Sequence, residues 1–474
     1  MPSSKEKQEL LNLIIRSCET WNSDRTSRDE ANEEQAVALA RNLLQLLEIN
    51  QEKIFPQYKC SSNQKVDLAV RFNPSETTSR FSKPDLILEI KRPSWIFSEG
   101  TEKYSQTVSQ LQSYLSAERC KSVKYGIIFN GCEVQLFRKH GMISYPISSI
   151  LSVDKSNIRK TIDYLQEHIK QDTAPRGTII TVWNNKGGVG KTTVAQSLAI
   201  LLNEKIVYGQ KDKNKILLID YDHNQGDLTA NCKMDRSKGE TKKLLDDDYQ
   251  NKLSEENVIS SLNSFTNIPT RGRKPRFPFE IKVLRADSTL SNRSSNYIQD
   301  FDATKRLPLR QLCLKFAKFF DYIIIDAPPN YEQSIFSQES VSAADCILPI
   351  ALFQNNNSIR NYANAVFDFI RPAQEKRKDG GPFSLGIWFN RWRSTWTSTP
   401  TSRSVKNQIT EAEKAEDRME LKRIFYKGKS KALRKIDETA DIARSIMDAK
   451  GLPGVVRYMR ARTAFIPLVK DFSD

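Results

Sequence analysis

The feature that most constrains this chain is a glycine-rich loop between an apolar run and a helical run. Residues 178–183 read TIITVW, residues 184–191 read NNKGGVGK, and TTVAQSLAILL follows. A loop of this kind between a strand and a helix turns its backbone N–H groups toward phosphates. Its lysine reaches the outer phosphates, and the next hydroxyl can ligate Mg²⁺. This order of elements predicts a nucleotide site in a layered α/β domain.

Further apolar runs follow the loop at intervals, separated by helical segments. They read KILLIDYD, IKVLRA, FDYIIIDAPP, CILPIAL and SLGIWFN. Continuous apolar strands without alternation indicate a parallel sheet that is covered on both faces. We therefore predict a doubly wound, mostly parallel sheet over residues 177–474. An inserted loop is expected at about residues 231–280 and a basic helical extension at about residues 391–464.

The sequence KGGVGKTT, with a second lysine at position 186, resembles the deviant Walker A motif of the ParA/MinD family of ATPases. The resemblance continues through LLIDYDHNQGDLT, which is similar to the switch I segment of the family, and FDYIIIDAPPN, which is similar to Walker B. The strands AADCILPIAL and GIWFN resemble those that frame the base. The resemblance implies that the protein binds ATP and Mg²⁺ and forms a homodimer through an ATP sandwich.

The same resemblance implies roles for individual residues. Lys186 would cross to the phosphates of the partner subunit, Asp222 would orient the attacking water, and Asp220 and Asp326 would support Mg²⁺. Such roles suit phosphoryl transfer, which needs positioning and charge neutralisation more than covalent groups. The implied nucleotide-binding residues are Lys186, Gly187, Gly188, Val189, Gly190, Lys191, Thr192, Thr193 and Asn390, and Thr192 would also ligate Mg²⁺.

One stretch departs from the family pattern. DHNQG places His223 and Asn224 where the family usually has Pro-Gln, and the stretch is one residue longer. The resemblance therefore implies nucleotide binding but does not fix the switch behaviour or the hydrolysis rate. We expect His223 to be a loop residue rather than a catalyst. Pro349 would lie near the adenine, beside Asn390.

The stretch KPDLILEIKRP, residues 83–93, places charged side chains on a strand that is otherwise built for a core. By the period of two, Asp85, Glu89 and Lys91 share one face. Asp67 lies on a second strand candidate, KVDLAVRF at residues 65–72. Carboxylates beside a lysine can hold a metal next to a phosphate or an attacking water. Asp85 is an alternative to Asp67 as a metal ligand, but two neighbouring strands enclose an ion better than one.

These residues have the D-(x)n-ExK form of the PD-(D/E)xK nucleases. Residues from about 30 to 140 resemble the nuclease region of type I restriction-enzyme R subunits (HsdR-like). The shared landmarks are a helical glutamate, VDLAV, LEIKRP, a helix with Gln110 and Tyr114, and the strand and turn IIFNG. The resemblance implies an N-terminal restriction-endonuclease-like α/β domain over residues 1–152. Residues 153–176 would then form a helical linker to the second domain.

The nuclease resemblance implies a catalytic set of Asp67, Glu89 and Lys91, with Gln110 in support. Mg²⁺, or alternatively Mn²⁺, would be held by Asp67 and Glu89, with Asp85 as the alternative ligand. Glu34 is a weaker candidate for the helical glutamate. The chain contains three histidines, widely separated, so carboxylates are the expected ligands of any metal.

The composition of the chain limits the classes of partner that it is expected to bind. The formal net charge of +16 favours an anionic partner, here DNA. The basic patches TRGRKPRFP and RWRSTW could track a phosphate backbone. Seven cysteines without CxxC spacing favour reduced thiols and a cytoplasmic setting. No apolar run approaches the ~18 residues of a membrane helix, so we expect no membrane partner.

Two functional hypotheses follow. The first is an ATP-regulated, metal-dependent DNA endonuclease of prokaryotic restriction or anti-phage and plasmid defence, in which dimerisation controls cleavage. The alternative is a ParA-like DNA segregation or positioning ATPase whose N-terminal domain binds DNA or a partner without cutting. An adaptor protein would be a further partner of such an ATPase.

Overall fold

The architecture is taken from a computed structural model, and the structure describes residues 3–72, 84–98, 101–120, 122–140, 143–170, 176–204, 214–246, 259–266, 278–290, 308–352, 356–377, 379–392, 407, 435–437 and 468. The chain divides into two compact units. The first comprises Met1–Pro175 with Lys378–Gly380 and Asp474, and the second comprises Arg176–Arg377 and Gly381–Ser473.

The first unit is a mixed sheet with helices on both faces. Its helices are α1 (Ser4–Ser23), α2 (Arg25–Glu30), α3 (Glu33–Leu46), α4 (Glu102–Leu115) and α5 (Ile158–Lys170). Its strands are β1 (Ile54–Lys59), β2 (Lys65–Val70), β3 (Leu86–Ile90), β4 (Tyr125–Phe129), β5 (Glu133–His140), β6 (Ile143–Pro146) and β7 (Leu151–Ser152). The sheet order is β1-β2-β3-β4-β5-β6, and β7 pairs with β5. The pair β3–β4 is parallel, and the other pairs are antiparallel.

Two apolar clusters cover the faces of this sheet. Leu88 and its same-face neighbours pack against α1, α3 and α5, whereas Ile87 packs against α4. Helix α5 therefore belongs to the core of the first unit through Ile158 and Leu165, although residues 153–176 were expected to form a linker. Helix α1, which the sequence analysis did not predict, starts at a capping box formed by Ser3 and Glu6.

The second unit contains the helices α6 (Lys191–Asn203), α7 (Asp227–Asn231), α8 (Glu240–Leu244), α9 (Pro308–Phe316), α10 (Ile335–Ala343), α11 (Asn356–Ala365) and α12 (Arg371–Arg377), with a π-helical turn at Val366–Ile370. Its strands are β8 (Thr178–Trp183), β9 (Ile216–Asp220), β10 (Asn263–Thr266), β11 (Glu280–Leu284), β12 (Tyr322–Asp326), β13 (Cys346–Leu352), β14 (Phe383–Ser384), β15 (Trp388–Trp392) and β16 (Lys435–Asp437).

The sheet of the second unit has the order β10-β11-β9-β12-β8-β13-β15-β16, and β14 pairs with β13. The described strand pairs are parallel except β10–β11. Ile323 and Ile325 pack against α9 and α10, while Ile324, on the opposite face, is also buried. Burial of both faces explains the continuous apolar strands and confirms a parallel α/β sheet in this unit.

All of the patch TRGRKPRFP except its last residue, most of RWRSTW and nearly all of the basic extension lie outside the described residues. All seven cysteines are buried and none forms a disulfide. Among the helices described, none has the length and apolar character needed to cross a membrane.

Candidate functional site

The glycine-rich loop connects β8 to α6, as its sequence predicts. Gly188 and Gly190 have φ of +72° and +94°, in the left-handed region that side chains disfavour. A Cβ added at Gly187 or Gly188 would meet no atom within 4 Å, so this part of the loop faces open space. Helix α6 begins at Lys191, directly after the loop. The loop and the positive end of the helix thus form a concave site for an anion.

The lysine of the loop is buried and reaches back across it. Lys191 Nζ donates to the backbone carbonyl of Lys186 at 3.1 Å. Burial lowers the pKa of Lys191, and the charges of Asp326 and Asp222 oppose this shift. A desolvated ammonium in this position would gain most from a phosphate ligand.

Three aspartates lie where β9 and β12 end. The sheet register pairs Asp326 with Asp220. Burial, and then the charges of Asp220 and Asp222, raise the pKa of Asp326 to about 8, against a hydrogen bond from Thr192 and the charge of Lys191. Asp326 Oδ1 is buried and has no hydrogen-bond partner among the described residues. This unsatisfied oxygen fits a site for Mg²⁺ or its bound water, with Thr192 beside it.

The other two aspartates have local hydrogen-bond partners. Asp220 Oδ2 accepts from both the backbone nitrogen and the hydroxyl of Thr229, each at 2.7 Å. Burial raises the pKa of Asp220 to about 6. Asp222 Oδ1 accepts from the backbone of Gln225 at 3.1 Å, and burial raises the pKa of Asp222. Asp222 is therefore held within its own turn, near Lys191.

His223 is fully buried and acts as a structural residue in this arrangement. Its Nδ1 accepts from the backbone nitrogen of Asp287 at 3.0 Å. Its ring packs edge-to-face with Tyr221 and Phe336, with centroids 4.7 and 4.8 Å away. Burial lowers the pKa of His223 to about 3, so the ring is neutral at pH 7. The extra residue of DHNQG thus anchors the segment to the end of β11.

Two residues predicted to lie near the base approach the loop. Asn390 Nδ2 donates to the carbonyl of Val189 at 2.9 Å, and a Cβ on Gly190 would lie 2.2 Å from that nitrogen. Pro349 pairs with Trp183, the last residue of β8. Lys186 and Thr193 are half-buried at the two ends of the loop region.

The first unit brings a second lysine and carboxylates together. In the register of β2 and β3, Leu68 pairs with Leu88, so Asp67 follows opposite Glu89. Asp67 Oδ2 accepts from the backbone nitrogen of Ile90 at 2.7 Å. Directly opposite residues on antiparallel strands are close neighbours, so Asp67 and Glu89 share one end of the sheet.

Lys91 connects this end of the sheet to α4. Its ammonium donates to Glu89 Oε1 in a short contact and to Gln110 Oε1 at 3.1 Å. Gln110 Nε2 in turn donates to the hydroxyl of Tyr114 at 2.7 Å. Glu89, Lys91, Gln110 and Tyr114 therefore form one hydrogen-bonded network, and the strand register adds Asp67 opposite Glu89. These five residues are hereafter the ExK cluster.

Burial shifts the pKa values of the charged groups in the ExK cluster. Glu89 is only 2% exposed, and burial raises its pKa to about 7, with Asp67 adding to the shift. Burial also raises the pKa of Asp67. Burial alone would lower the pKa of Lys91, but its hydrogen bond to Glu89 and the nearby carboxylates raise it overall. The cluster has more carboxylates than ammonium groups, which favours a bound cation.

Two sequence-based assignments need correction here. Asp85 is not part of the ExK cluster: its Oδ2 accepts from the backbone nitrogen of Phe72 at 2.8 Å, at the opposite end of β3. The helical glutamate nearest the cluster is Glu33 rather than Glu34. Burial and the charge of Asp67 raise the pKa of Glu33, and Lys91 opposes the shift.

Across the described residues, no group of three His, Cys, Asp or Glu side chains is arranged to hold a metal ion. The donor set of the ExK cluster, Asp67 and Glu89, is nevertheless compatible with Mg²⁺ or Mn²⁺, because Mg²⁺ typically binds through one or two carboxylates and keeps several waters. In the second unit, the hydroxyl of Thr192 and Asp326 offer a similarly partial set, which a nucleotide would complete.

Comparison with known proteins finds a family model that matches part of the chain. Residues 177–375 match the family model described as an AAA domain, and this match lies wholly in the second unit. No curated protein matches the chain significantly. The family match and the loop geometry together identify a P-loop domain in the second unit.

Several solved structures resemble the chain at low identity. A variant of McdA from Cyanothece in complex with ATP is 18% identical, covering 62% of this chain and 97% of that one, with a TM-score of 0.43. MinD from Pyrococcus horikoshii with Mg-ADP is 17% identical, covering 62% and 94%, with a TM-score of 0.38. ParA of pNOB8 bound to nonspecific DNA is 19% identical, covering 52% and 76%, with a TM-score of 0.32.

Proposed function

We propose that this protein is a ParA/MinD-type ATPase whose nucleotide state controls its binding to DNA. The observation that carries the proposal is the buried, unpartnered Asp326 Oδ1 beside Thr192 and Lys191, below an open glycine-rich loop. The family match to residues 177–375 supports this ATPase hypothesis more directly than the nuclease hypothesis. The net charge of +16 supports DNA as the partner.

In this proposal the loop backbone and Lys191 bind the outer phosphates of ATP, and Asp222 orients the attacking water. Mg²⁺ would neutralise phosphate charge, held by Thr192 with support from Asp326 and Asp220. Asn390 and Pro349 would border the adenine. Lys186, half-buried on the loop, would contact the phosphates of a partner subunit in an ATP sandwich homodimer.

A second function is supported by the ExK cluster. We propose that the first unit cuts DNA in a metal-dependent reaction, because Glu89, Lys91 and Gln110 lie in one hydrogen-bonded network and Asp67 lies opposite Glu89. Mg²⁺ or Mn²⁺ would supply Lewis-acid stabilisation of the phosphate. Lys91 would contact the phosphate or the attacking water, and the oxygens of Asp67 and Glu89 would hold the ion. A cytoplasmic role in restriction or defence would follow from this activity.

One experiment separates the two functions. Supercoiled plasmid is incubated with Mg²⁺, with and without ATP, and both DNA retention and strand nicking are measured for wild type, Lys191→Ala and Lys91→Ala. Exposed lysines of each unit, Lys318→Ala and Lys160→Ala, serve as controls. Protein that folds normally by circular dichroism is used throughout.

We expect Lys191→Ala to weaken ATP-dependent DNA retention about 10- to 100-fold, because a charge-assisted contact to phosphate is lost. DNA retention that depends neither on ATP nor on Lys191 would contradict the proposal that the nucleotide state controls DNA binding. Lys91→Ala should reduce nicking about 100-fold or more while DNA retention persists. Equal nicking by wild type and Lys91→Ala would reject the ExK cluster as a nuclease site, and no nicking by wild type would leave the ATPase function alone.

A further inference from the structure

The loop at residues 91–98, directly after the ExK cluster, is held rigidly on its inner side. The backbone nitrogen of Lys91 donates to the carbonyl of Phe129 at 2.9 Å. Farther along, the side chain of Asn130 donates to the carbonyl of Trp95 at 3.0 Å. The backbone nitrogen of Phe97 donates to Glu133 Oε2 at 2.8 Å. The turn between β4 and β5 therefore fixes the far end of this loop.

The loop is also fixed from its other sides. Arg28 Nε donates to the carbonyl of Pro93 at 3.0 Å, and Trp95 Nε1 donates to the hydroxyl of Thr107 on α4 at 3.0 Å. Pro93 and Phe97 are buried. Contacts from α2, α4 and the β4–β5 turn thus give this segment a defined shape.

Ile96 projects from this rigid loop. Its side chain is 49% exposed, although it lies one residue from buried Phe97. A single exposed isoleucine on a protein surface has no special meaning. Here, however, the backbone is hydrogen-bonded on both sides of Ile96, at Trp95 and Phe97, so the side chain is held out at low entropic cost.

Two cations lie in or against the loop that carries Ile96. Arg92 is exposed within the same loop, and Lys103 Nζ lies 5.3 Å above the ring of Trp95. A segment that carries both an apolar side chain and cations matches the chemistry of duplex DNA, which presents phosphates and stacked bases together. Proteins that deform DNA insert side chains such as isoleucine between base steps.

We propose that Ile96 is a wedge that enters the base stack of duplex DNA bound at the ExK cluster, with Arg92 and Lys103 on the flanking phosphates. The inference rests on the proposed function only in requiring that the first unit contacts DNA. It holds whether that unit cuts the DNA or only binds it. Unstacking at Ile96 bends the duplex.

The test uses a duplex that carries several 2-aminopurine bases, whose fluorescence rises when they unstack. Full-length protein with ATP and Ca²⁺ is titrated, and anisotropy of an end label reports binding separately. The variants are Ile96→Ala and Ile96→Leu, which keeps an apolar tip. Leu13→Ala is the matched control, because Leu13 is 52% exposed and lies on α1, away from this loop.

We expect wild type, Ile96→Leu and Leu13→Ala to raise the fluorescence about twofold at saturation. Ile96→Ala should bind DNA within about tenfold of the wild-type affinity but leave the fluorescence unchanged. If DNA binds and Ile96→Ala gives the same rise as wild type, or wild type gives none, the wedge is wrong while DNA binding stands. If the anisotropy shows no binding by wild type, both the wedge and the proposed DNA-binding function fail.

Discussion

Each unit contains a lysine among carboxylates, but the two lysines differ in their hydrogen-bond partners and in the direction of their pKa shifts. In the first unit, Lys91 is hydrogen-bonded to Glu89 and Gln110, and its pKa is raised. In the second, Lys191 donates to a backbone carbonyl, and burial lowers its pKa. An ammonium already paired with a carboxylate leaves the rest of its cluster in need of a cation. A desolvated ammonium under a glycine-rich loop is suited to an anion instead.

The carboxylates differ in the same way. Asp326 in the second unit has a buried oxygen without a partner, whereas Glu89 in the first has Lys91. Asp345, also in the second unit, is fully compensated: it accepts from Arg176 at 2.8 and 3.0 Å and from Arg310 at 2.7 Å. The three acids thus differ in how fully their charge is compensated: Asp345 most, Glu89 partly and Asp326 least. We expect full compensation to mark a structural acid and weak compensation a functional one, and replacing each acid should change stability accordingly.

The largest change in stability is expected at Asp345, the most fully compensated of the three acids. Asp345→Ala leaves the guanidinium groups of Arg176 and Arg310 without their carboxylate in a largely buried site. Removing one partner of a buried ion pair costs about 3–5 kcal/mol, because an uncompensated charge remains. Urea unfolding, followed by the transition of the second unit, measures the loss.

The control for Asp345→Ala is Glu375→Ala, which breaks an exposed i,i+4 pair with Arg371 at 3.7 Å. Such pairs contribute little, so the unfolding midpoint should not move measurably. A loss at Asp345 no larger than at Glu375 would mean that burial does not separate structural from functional acids here.

The residue types of both sites were predictable from sequence, but their partners were not. The sequence favours Asp67 over Asp85, because two neighbouring strands enclose an ion better than one. Only the register of β2 with β3 places Asp67 opposite Glu89. That register depends on the turn between the strands, whose geometry the local pattern does not determine. The prediction of a parallel sheet in the second unit succeeded because continuous apolar strands carry that information.

Two misses had signals in the sequence. Asn32 and Gln35 form a capping box that starts α3 at Glu33, so Glu33 rather than Glu34 lies at the helix entry near the ExK cluster. The extra residue around His223 marked a departure from the family pattern in the segment after β9. Its burial against Tyr221 and Phe336 depends on α10, which is distant in sequence, so local reasoning could not find it.

Replacement of Asp326 is expected to change stability by an intermediate amount and to stabilise the protein, unlike replacement of Asp345. Its folded pKa of about 8 exceeds the ordinary 3.8, so the folded state holds more protons than the unfolded state between these values. Wild-type stability should therefore fall as pH rises through this window. Asp326→Asn removes this contribution to the pH dependence and should stabilise the protein by about 1–3 kcal/mol at pH 8, the cost of an unsatisfied buried group.

Thermal unfolding of Asp326→Asn and wild type is compared from pH 5 to 8 without nucleotide or Mg²⁺. The exposed Asp235→Asn is the control and should give a pH-independent difference. If Asp326→Asn destabilises the protein at pH 8, the carboxylate of Asp326 is compensated like that of Asp345. Asp326 would then be a structural acid and not a functional one.

The smallest effect is expected at Glu89, where Lys91 offsets part of the burial cost. The folded pKa of about 7 lies above the ordinary 4.5, so wild-type stability should decline as pH rises across this narrower window. Glu89→Gln should gain less than about 1 kcal/mol at pH 8, because Lys91 loses an ion-pair partner at the same time. Thermal unfolding midpoints from pH 4.5 to 8 measure it, with exposed Glu34→Gln as the control. A gain as large as that of Asp326→Asn would show that Lys91 does not compensate Glu89, and the contrast between the two lysines would then disappear.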